Sequence, residues 1–322
     1  MRISALQQAQ TADVAALWNE AVQAQGQRYE EHRLSVERLA EITRDENFLA
    51  SGALVATDRG GVVGFALGYV QKVDFRRVGN LEGMPGRLAG IAVEPGHWRQ
   101  GIGSKLLEAV EVALAQAGKT AVSFEAFRMP VCLLRGACVD TGPYRFLLAC
   151  GYRPLAHELR LRNDVEQFEL TAEIKERREK LCREGVEYRF YEPEDREELL
   201  AFMNRHFAGG WHVSIERATE GASPAEVLMA LADGRIVGFM GPFHVSGRGE
   251  PGHFGSPGVA PDFRGRGIGK VMLHLGLDYL KSAGVSETSY GTGVTNPARF
   301  IYFDSGAELV SISCTNFHKS LG

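Results

Sequence analysis

The sequence has no apolar run approaching the roughly 18 residues that a membrane-spanning helix needs, so no membrane association is expected. No basic stretch followed by an apolar core opens the chain, so no secretory signal is read. Cysteine is sparse: Cys132, Cys138, Cys150, Cys182 and Cys314 are odd in number, and no CxxC pair occurs. Neither a disulfide framework nor a zinc site is indicated, and the usage fits a reducing cytoplasm with no bound metal. Net charge is only -4, which argues against general nucleic-acid binding and mildly favours a cationic partner.

What is present is an ordinary soluble mixture, 44% hydrophobic and 24% charged. At 322 residues the chain is long for one core and comfortable for two domains. It also repeats itself. "PGHWRQGIGS" (Pro95 to Ser104) and "PDFRGRGIGK" (Pro261 to Lys270) place Gly101 and Gly103 in register with Gly267 and Gly269. A strand-like run precedes each, "RLAGIAV" and "HFGSPGV", and a helical pattern follows, Ile102, Leu106, Ala109, Ala113 and Ile268, Met272, Leu275, Tyr279. "VVGFALG" echoes "IVGFMG" upstream, and "FLLACGY" echoes "IYFDSGA" downstream. Matches in the same order point to two copies of one α/β domain, 1–162 and 186–322. Residues 163–185, with "AEIKERREKLCREG", read as a solvated linker helix ended by Gly185.

A strand turning through glycines into a helix presents unpaired N–H groups at the positive helix end, a nest for phosphate. The Walker spacing fails, because Arg264 stands five residues before Gly269 and Val271 follows Lys270. The dinucleotide fingerprint fails too, because Leu106 and Met272 occupy the place of its third glycine. What remains is R-x-x-G-x-G after a strand.

With "VAPDFRGRGIGKVML" the chain resembles the GNAT family of N-acetyltransferases. That resemblance covers both halves as a tandem. It implies two mixed, splayed β-sheets flanked by helices. A second landmark agrees: Asn296, Ala298, Ile301, Tyr302 and Gly306 match the family's Asn and its A-x-x-(F)Y-x-x-x-G helix. The resemblance implies direct acetyl transfer from acetyl-coenzyme A to an amine. Arg264, Gly265, Arg266, Gly267, Ile268, Gly269 and Lys270 match the pyrophosphate loop. A backbone N–H near Gly258 and Val259 would polarise the carbonyl, Asn296 would contact the cofactor chain, and Tyr302 would protonate the thiolate. No general base is fixed; His253, His244 and Glu226 are candidates by neighbourhood. "HFAGGWHVS" is either part of an acceptor wall, through Trp211 and His212, or an exposed glycine loop. Pro257 departs from the aliphatic residues usual in that strand and puts the carbonyl contact in question.

The first copy differs. Trp98 aligns with Arg264, Leu147 aligns with Tyr302, and no Asn matches Asn296; "RMPVCLLRGACVDTGPY" runs there instead. Tyr144, one turn earlier, would substitute only as an arrangement of its own. Val93, Arg99, Gln100, Gly101, Ile102, Gly103 and Ser104 still offer a coenzyme A loop. The expectation is a catalytic second copy and a degenerate first; the reverse, with Pro257 silencing the second, stays open. The layout is similar to that of mycothiol synthases, so a thiol-sugar amine joins amino acids, polyamines, aminoglycosides and a protein N-terminus as candidate acceptors. A non-catalytic acyl-coenzyme A sensor or interaction module is the alternative class. A monomer or homodimer is expected.

Overall fold

The computed structural model describes residues 1–26, 33–74, 80–125, 133, 136–221 and 225–322. Of the excursion expected between the first copy's last two elements, Arg128 to Tyr144, residues 128–132, 134 and 135 lie outside the described residues, and the remainder contains a short strand, Ala137–Cys138, and the start of a helix at Gly142.

Two compact units form. The first contains Met1–Asp74, the stretch ending at Glu158, and Ser311–Gly322; the second contains Leu159–Val310. In the first unit the elements are β1 (Arg2–Ala5), α1 (Thr11–Ala24), α2 (Val36–Arg44), β2 (Phe48–Asp58), β3 (Gly61–Tyr69), β4 (Gly86–Val93), α3 (Ile102–Gln116), β5 (Ala121–Glu125), β6 (Ala137–Cys138), α4 (Gly142–Ala149) and the start of β7 (Arg153–Asp164). The second holds α5 (Ala172–Arg183), β8 (Val186–Phe190), α6 (Arg196–His206), α7 (Gly210–Ala218), β9 (Leu228–Ala232), β10 (Arg235–Met240), β11 (Phe243–Val245), β12 (Gly252–Phe254), β13 (Pro257–Val259), α8 (Ile268–Ser282), β14 (Glu287–Gly293) and α9 (Arg299–Asp304), then β15 (Glu308–Ser320) leads back into the first.

The splay expected of each sheet is visible in its registers. In the first unit β1, β2, β3 and β4 are antiparallel neighbours. Among the described residues β4 meets β5 in parallel at Gly86↔Val122 and Arg87↔Ser123, and from Leu88 onward it pairs with β3. Beyond β5 the sheet continues with the end of β15, in register Asn316↔Glu125 to Ser320↔Ala121. The second unit carries the splay further. "HFGSPGV", expected as one strand, is two: β12 pairs with β11 and, at Gly252↔Thr288, with β14, whereas β13 pairs with β10. The break falls at Gly255, where a Cβ would sit 2.1 Å from the Gly241 carbonyl oxygen, so the two backbones touch there.

The helix stripes read from the sequence form the cores. α3 buries Ile102, Leu106, Val110 and Ala113 at helical spacing. α8 buries Ile268, Met272, Leu273 and Leu277, among others. The charged segment differs from a solvated linker. β7 takes Asn163 and Asp164; the helix begins after Thr171, whose hydroxyl accepts from Ile174 N–H at 3.4 Å. It ends at Gly185, φ +83°. Ile174 and Leu181, two turns apart, are buried, and Leu181 lies in the second unit's core, so α5 belongs to that unit. Two apolar positions among charges left too faint a periodicity to show this. The last residues also differ in place: Ser311–Gly322 belongs to the first unit, not the second.

Candidate active site

The glycine turn of the second unit is built onto β13. Ala260 N–H donates to Val237 O at 2.8 Å, with Gly258 opposite Phe239. Alternation along an antiparallel ladder then turns the N–H and C=O of Val259 away from β10, into the splay. Val259 O accepts from Arg264 Nε at 2.9 Å. Its N–H remains the donor on that face. Pro257 shares the parity of Val259, so its missing N–H costs no bond to β10, and the strand tolerates it. A 3-10 turn, Pro261–Phe263, follows. Gly265 (φ +75°) and Gly267 (φ +91°) are then left-handed, which folds successive amides inward at the start of α8. The added positive potential of the helix end favours an anion there. A Cβ at Gly265 would meet nothing within 4 Å, so this side of the nest is open to a phosphate.

The first unit repeats this geometry with other side chains. Glu94 N–H donates to Val63 O at 3.0 Å, so Val93 faces the splay. Val93 O accepts from Trp98 Nε1 at 2.6 Å. Indole N–H and guanidinium N–H thus do one job, tying the strand's last carbonyl to the turn. Arg99 (φ +63°) and Gly101 (φ +81°) repeat the two left-handed residues. A non-glycine residue held there costs about 1 kcal/mol, so the rest of the turn imposes the shape. Gln100, Ile102, Gly103 and Ser104 continue the turn into α3 as their counterparts do into α8.

The remaining predicted residues divide. Asn296 is exposed in the turn between β14 and α9, where its Oδ1 accepts from Ala298 N–H at 3.0 Å. Tyr302 is buried in α9, its ring 4.8 Å from that of Tyr290. Burial pushes the Tyr302 phenol up to about 12. Sequence reading missed the anchor beneath it. Tyr290 donates to Asn163 Oδ1, Asn163 Nδ2 donates to Ser305 O at 2.9 Å, and Ser305 Oγ donates to Tyr302 O at 2.7 Å. Asn163 carried no motif, and its partners lie far along the chain. In the first unit Leu147 is buried, and Tyr144 lies 3.4 Å from His157 Nε2 with its ring 5.5 Å from that of Phe317.

"HFAGGWHVS" is no glycine loop: α7 starts at Gly210. His212 is buried, so it lines no surface wall. Trp211 is exposed and stacks on Phe207 at 5.6 Å. A Cβ at Gly258 would lie 2.7 Å from Phe207 Cζ, so this aromatic pair packs directly against the strand bearing the Val259 N–H. Of the candidate bases, His244 and His253 form a stacked cross-strand pair on β11 and β12, rings 4.3 Å apart, on a different strand pair from Gly258. Glu226 is exposed just before β9. Among the described residues, no cluster of His, Cys, Asp or Glu is arranged to hold a metal, and no helix is long and apolar enough to cross a membrane.

Comparison with known proteins matches this geometry. The sequence profile of the Acetyltransferase (GNAT) family matches twice, over residues 14–128 and 187–302. The chain belongs to the GNAT family. It is an acetyl-coenzyme A-dependent N-acetyltransferase with a tandem layout. Curated relatives include a mycothiol acetyltransferase of Clavibacter michiganensis subsp. michiganensis, 31% identical over 74% of this chain and 76% of the relative. Another, from Clavibacter sepedonicus, is 30% identical over 66% of this chain and 67% of the relative. Among solved structures, the glucosamine N-acetyltransferase region of a fungal multi-domain β-N-acetylglucosaminidase superposes with TM-score 0.75 at 19% identity, over 99% of this chain and 38% of that one. A tandem GNAT protein from the clavulanic acid biosynthesis pathway superposes with TM-score 0.63 at 16% identity, over 100% of this chain and 98% of that one. At such identities the structural likeness concerns the fold alone.

Proposed function

We propose that the second unit transfers an acetyl group from acetyl-coenzyme A to a primary amine of a small molecule, and that the first unit is a degenerate copy without the acid. One contrast carries this reading: both units keep a strand N–H facing the splay beside a left-handed turn, but only the second has a phenol, Tyr302, where the first has Leu147. The amides at Gly265, Arg266, Gly267 and Ile268 would hold the pyrophosphate, and Asn296 the pantetheine chain. When bound, acetyl-coenzyme A supplies an acetyl thioester, whose carbon the amine takes while the sulfur leaves as a thiolate. Val259 N–H donates to the carbonyl oxygen as its charge grows. Tyr302 gives its hydroxyl proton to the leaving sulfur, and the proton that the acylated nitrogen sheds passes to solvent, from which the phenol is restored. Phe207 and Trp211 exclude water beside β13 and form one wall for the acceptor. Relatives named mycothiol acetyltransferase support a small-molecule acceptor.

Calorimetric titration of acetyl-coenzyme A tests the assignment, with Gly267→Val and Gly101→Val made separately. The reading requires a site lost with Gly267→Val. Binding lost only with Gly101→Val would reverse the roles of the units.

A further inference from the structure

The two turns share their backbone but not their surroundings. A Cβ at Gly101 would meet nothing within 4 Å, whereas at Gly267 it would lie 2.8 Å from Arg177 Nη1 and 2.9 Å from Arg177 Cδ. Arg177 comes from α5, outside the turn and its helix. Two of the turn's own cations already have carboxylate partners. Lys270 Nζ is 3.0 Å from Glu173 Oε1 and 3.3 Å from Asp304 Oδ2, and these partners hold its amine above the ordinary lysine range. Arg266 Nη2 is 3.4 Å from Glu184 Oε2. Arg264 spends its Nε on Val259 O. Arg177 reaches only the oxygen that Lys270 holds more closely, Glu173 Oε1, at 3.6 Å, and its side chain is 41% exposed. Arg264 is tied to the strand and lies against no nest glycine, whereas Arg177, with one weakly shared carboxylate, lies against Gly267, the left-handed glycine of the nest that is covered.

We propose that Arg177 is a ligand of the coenzyme A diphosphate, which makes α5 part of the cofactor site; this rests on the reading that acetyl-coenzyme A binds the α8 turn. A helix end contributes roughly half a charge, too little alone for a diphosphate. Lys270, the least exposed of these cations, is offset by Glu173 and Asp304, while the exposed Arg266–Glu184 contact offsets less. A guanidinium beside Gly267 adds planar, paired donors to the same oxygens that the amides address. The exposed contact with Glu173 is a weak competitor, because surface ion pairs contribute little. Among the described residues nothing equivalent overlies Gly101, so the feature belongs to this copy and not to the turn itself.

The test is calorimetric titration of the full chain with coenzyme A, 3′-dephospho-coenzyme A and pantetheine, comparing the unaltered protein with Arg177→Gln. Gly267→Val identifies which heat belongs to the α8 turn. Arg177→Gln should weaken coenzyme A and its 3′-dephospho form at that site by the same factor, about tenfold, and leave pantetheine unchanged. The salt dependence of coenzyme A binding should become shallower, since one ion pair is gone. Unchanged affinity with the site present would overturn the proposal. Tighter binding would also overturn it and make Arg177 a plug over Gly267. A loss seen with coenzyme A but not with the 3′-dephospho form would move Arg177 to the 3′-phosphate. If no heat disappears with Gly267→Val, the reading of the α8 turn falls, and this proposal with it.

Discussion

Replacing Tyr302 by phenylalanine removes one hydroxyl and keeps a ring that is 5% exposed and packed on Tyr290. Two independent consequences follow. The first is catalytic. On the proposed mechanism, losing the acid lowers turnover by roughly 10²- to 10⁴-fold while coenzyme A binding stays nearly constant, because that mechanism sets the hydroxyl to work on the leaving sulfur and not on the diphosphate. The second concerns stability. The phenol stands at about 12 in the folded chain, against roughly 10 when unfolded. A raised value means that the stabilisation is complete below about pH 10 and is lost as pH rises toward 12. Two units correspond to about 3 kcal/mol at most. Tyr290, Tyr152 and Tyr188 are also pushed up by burial, so the unaltered protein weakens in alkali for several reasons. The difference between the two proteins isolates Tyr302. Urea unfolding between pH 8 and 11.5 should show a shallower alkaline loss in Tyr302→Phe. The two values also constrain the chemistry. Donation from a phenol near 12 to a thiolate of ordinary basicity, roughly 8.5, is uphill by about 5 kcal/mol, so the same apolar surroundings must raise the sulfur as well. Turnover unaffected by the change would refute the acid role. A basic limb in turnover near pH 9 that vanishes in Tyr302→Phe would refute the burial argument.

Gly255→Ala forces a Cβ onto the Gly241 carbonyl, where neither backbone has room, and should destabilise the chain by about 3 kcal/mol or more in urea unfolding; a near-neutral result would mean that β12 and β13 are not broken there. Trp98→Phe deletes the donor to Val93 O and should cost about 1 kcal/mol, with Trp98→Arg recovering most of it, as Arg264 does in the second unit; a melt in which Arg is worse than Phe would contradict the equivalence. Arg189 grips Asp195 through Nη1–Oδ2 at 2.5 Å and Nη2–Oδ1 at 2.6 Å, and that hydrogen bonding holds the carboxyl below its usual range. The pair stabilises above the ordinary aspartate range and is lost as pH falls through the lowered value. Arg189→Met should therefore lower stability at pH 7 and narrow the gap between pH 7 and pH 3; equal gaps in both proteins would show that the pair contributes nothing.

Much of the site was legible because left-handed backbone leaves a mark in residue type. Gly265, Gly267 and Gly101 take positive φ, as does Gly185, which ends α5, so the turns and the helix stop appear in the letters. Arg99 is the exception, and its conformation is imposed by the rest of the turn. Trp98 against Arg264 looked like a loss of function, because letters report side-chain type and not which hydrogen bond it makes. The apparent defect at Pro257 dissolved for a related reason: strand parity decides whether a missing N–H matters.

By itself the sequence determined the duplication, the α/β class and the two glycine turns, all features written in local periodicity and in residues that special backbone angles demand. Tertiary structure alone decided that Ser311–Gly322 pairs with β5, that α5 is core and not connector, that Asn163 and Tyr290 steady Tyr302, and that Arg177 covers Gly267. Each of these joins residues far apart in the chain. Such contacts are chosen by the packing of whole elements, and leave no local pattern to read.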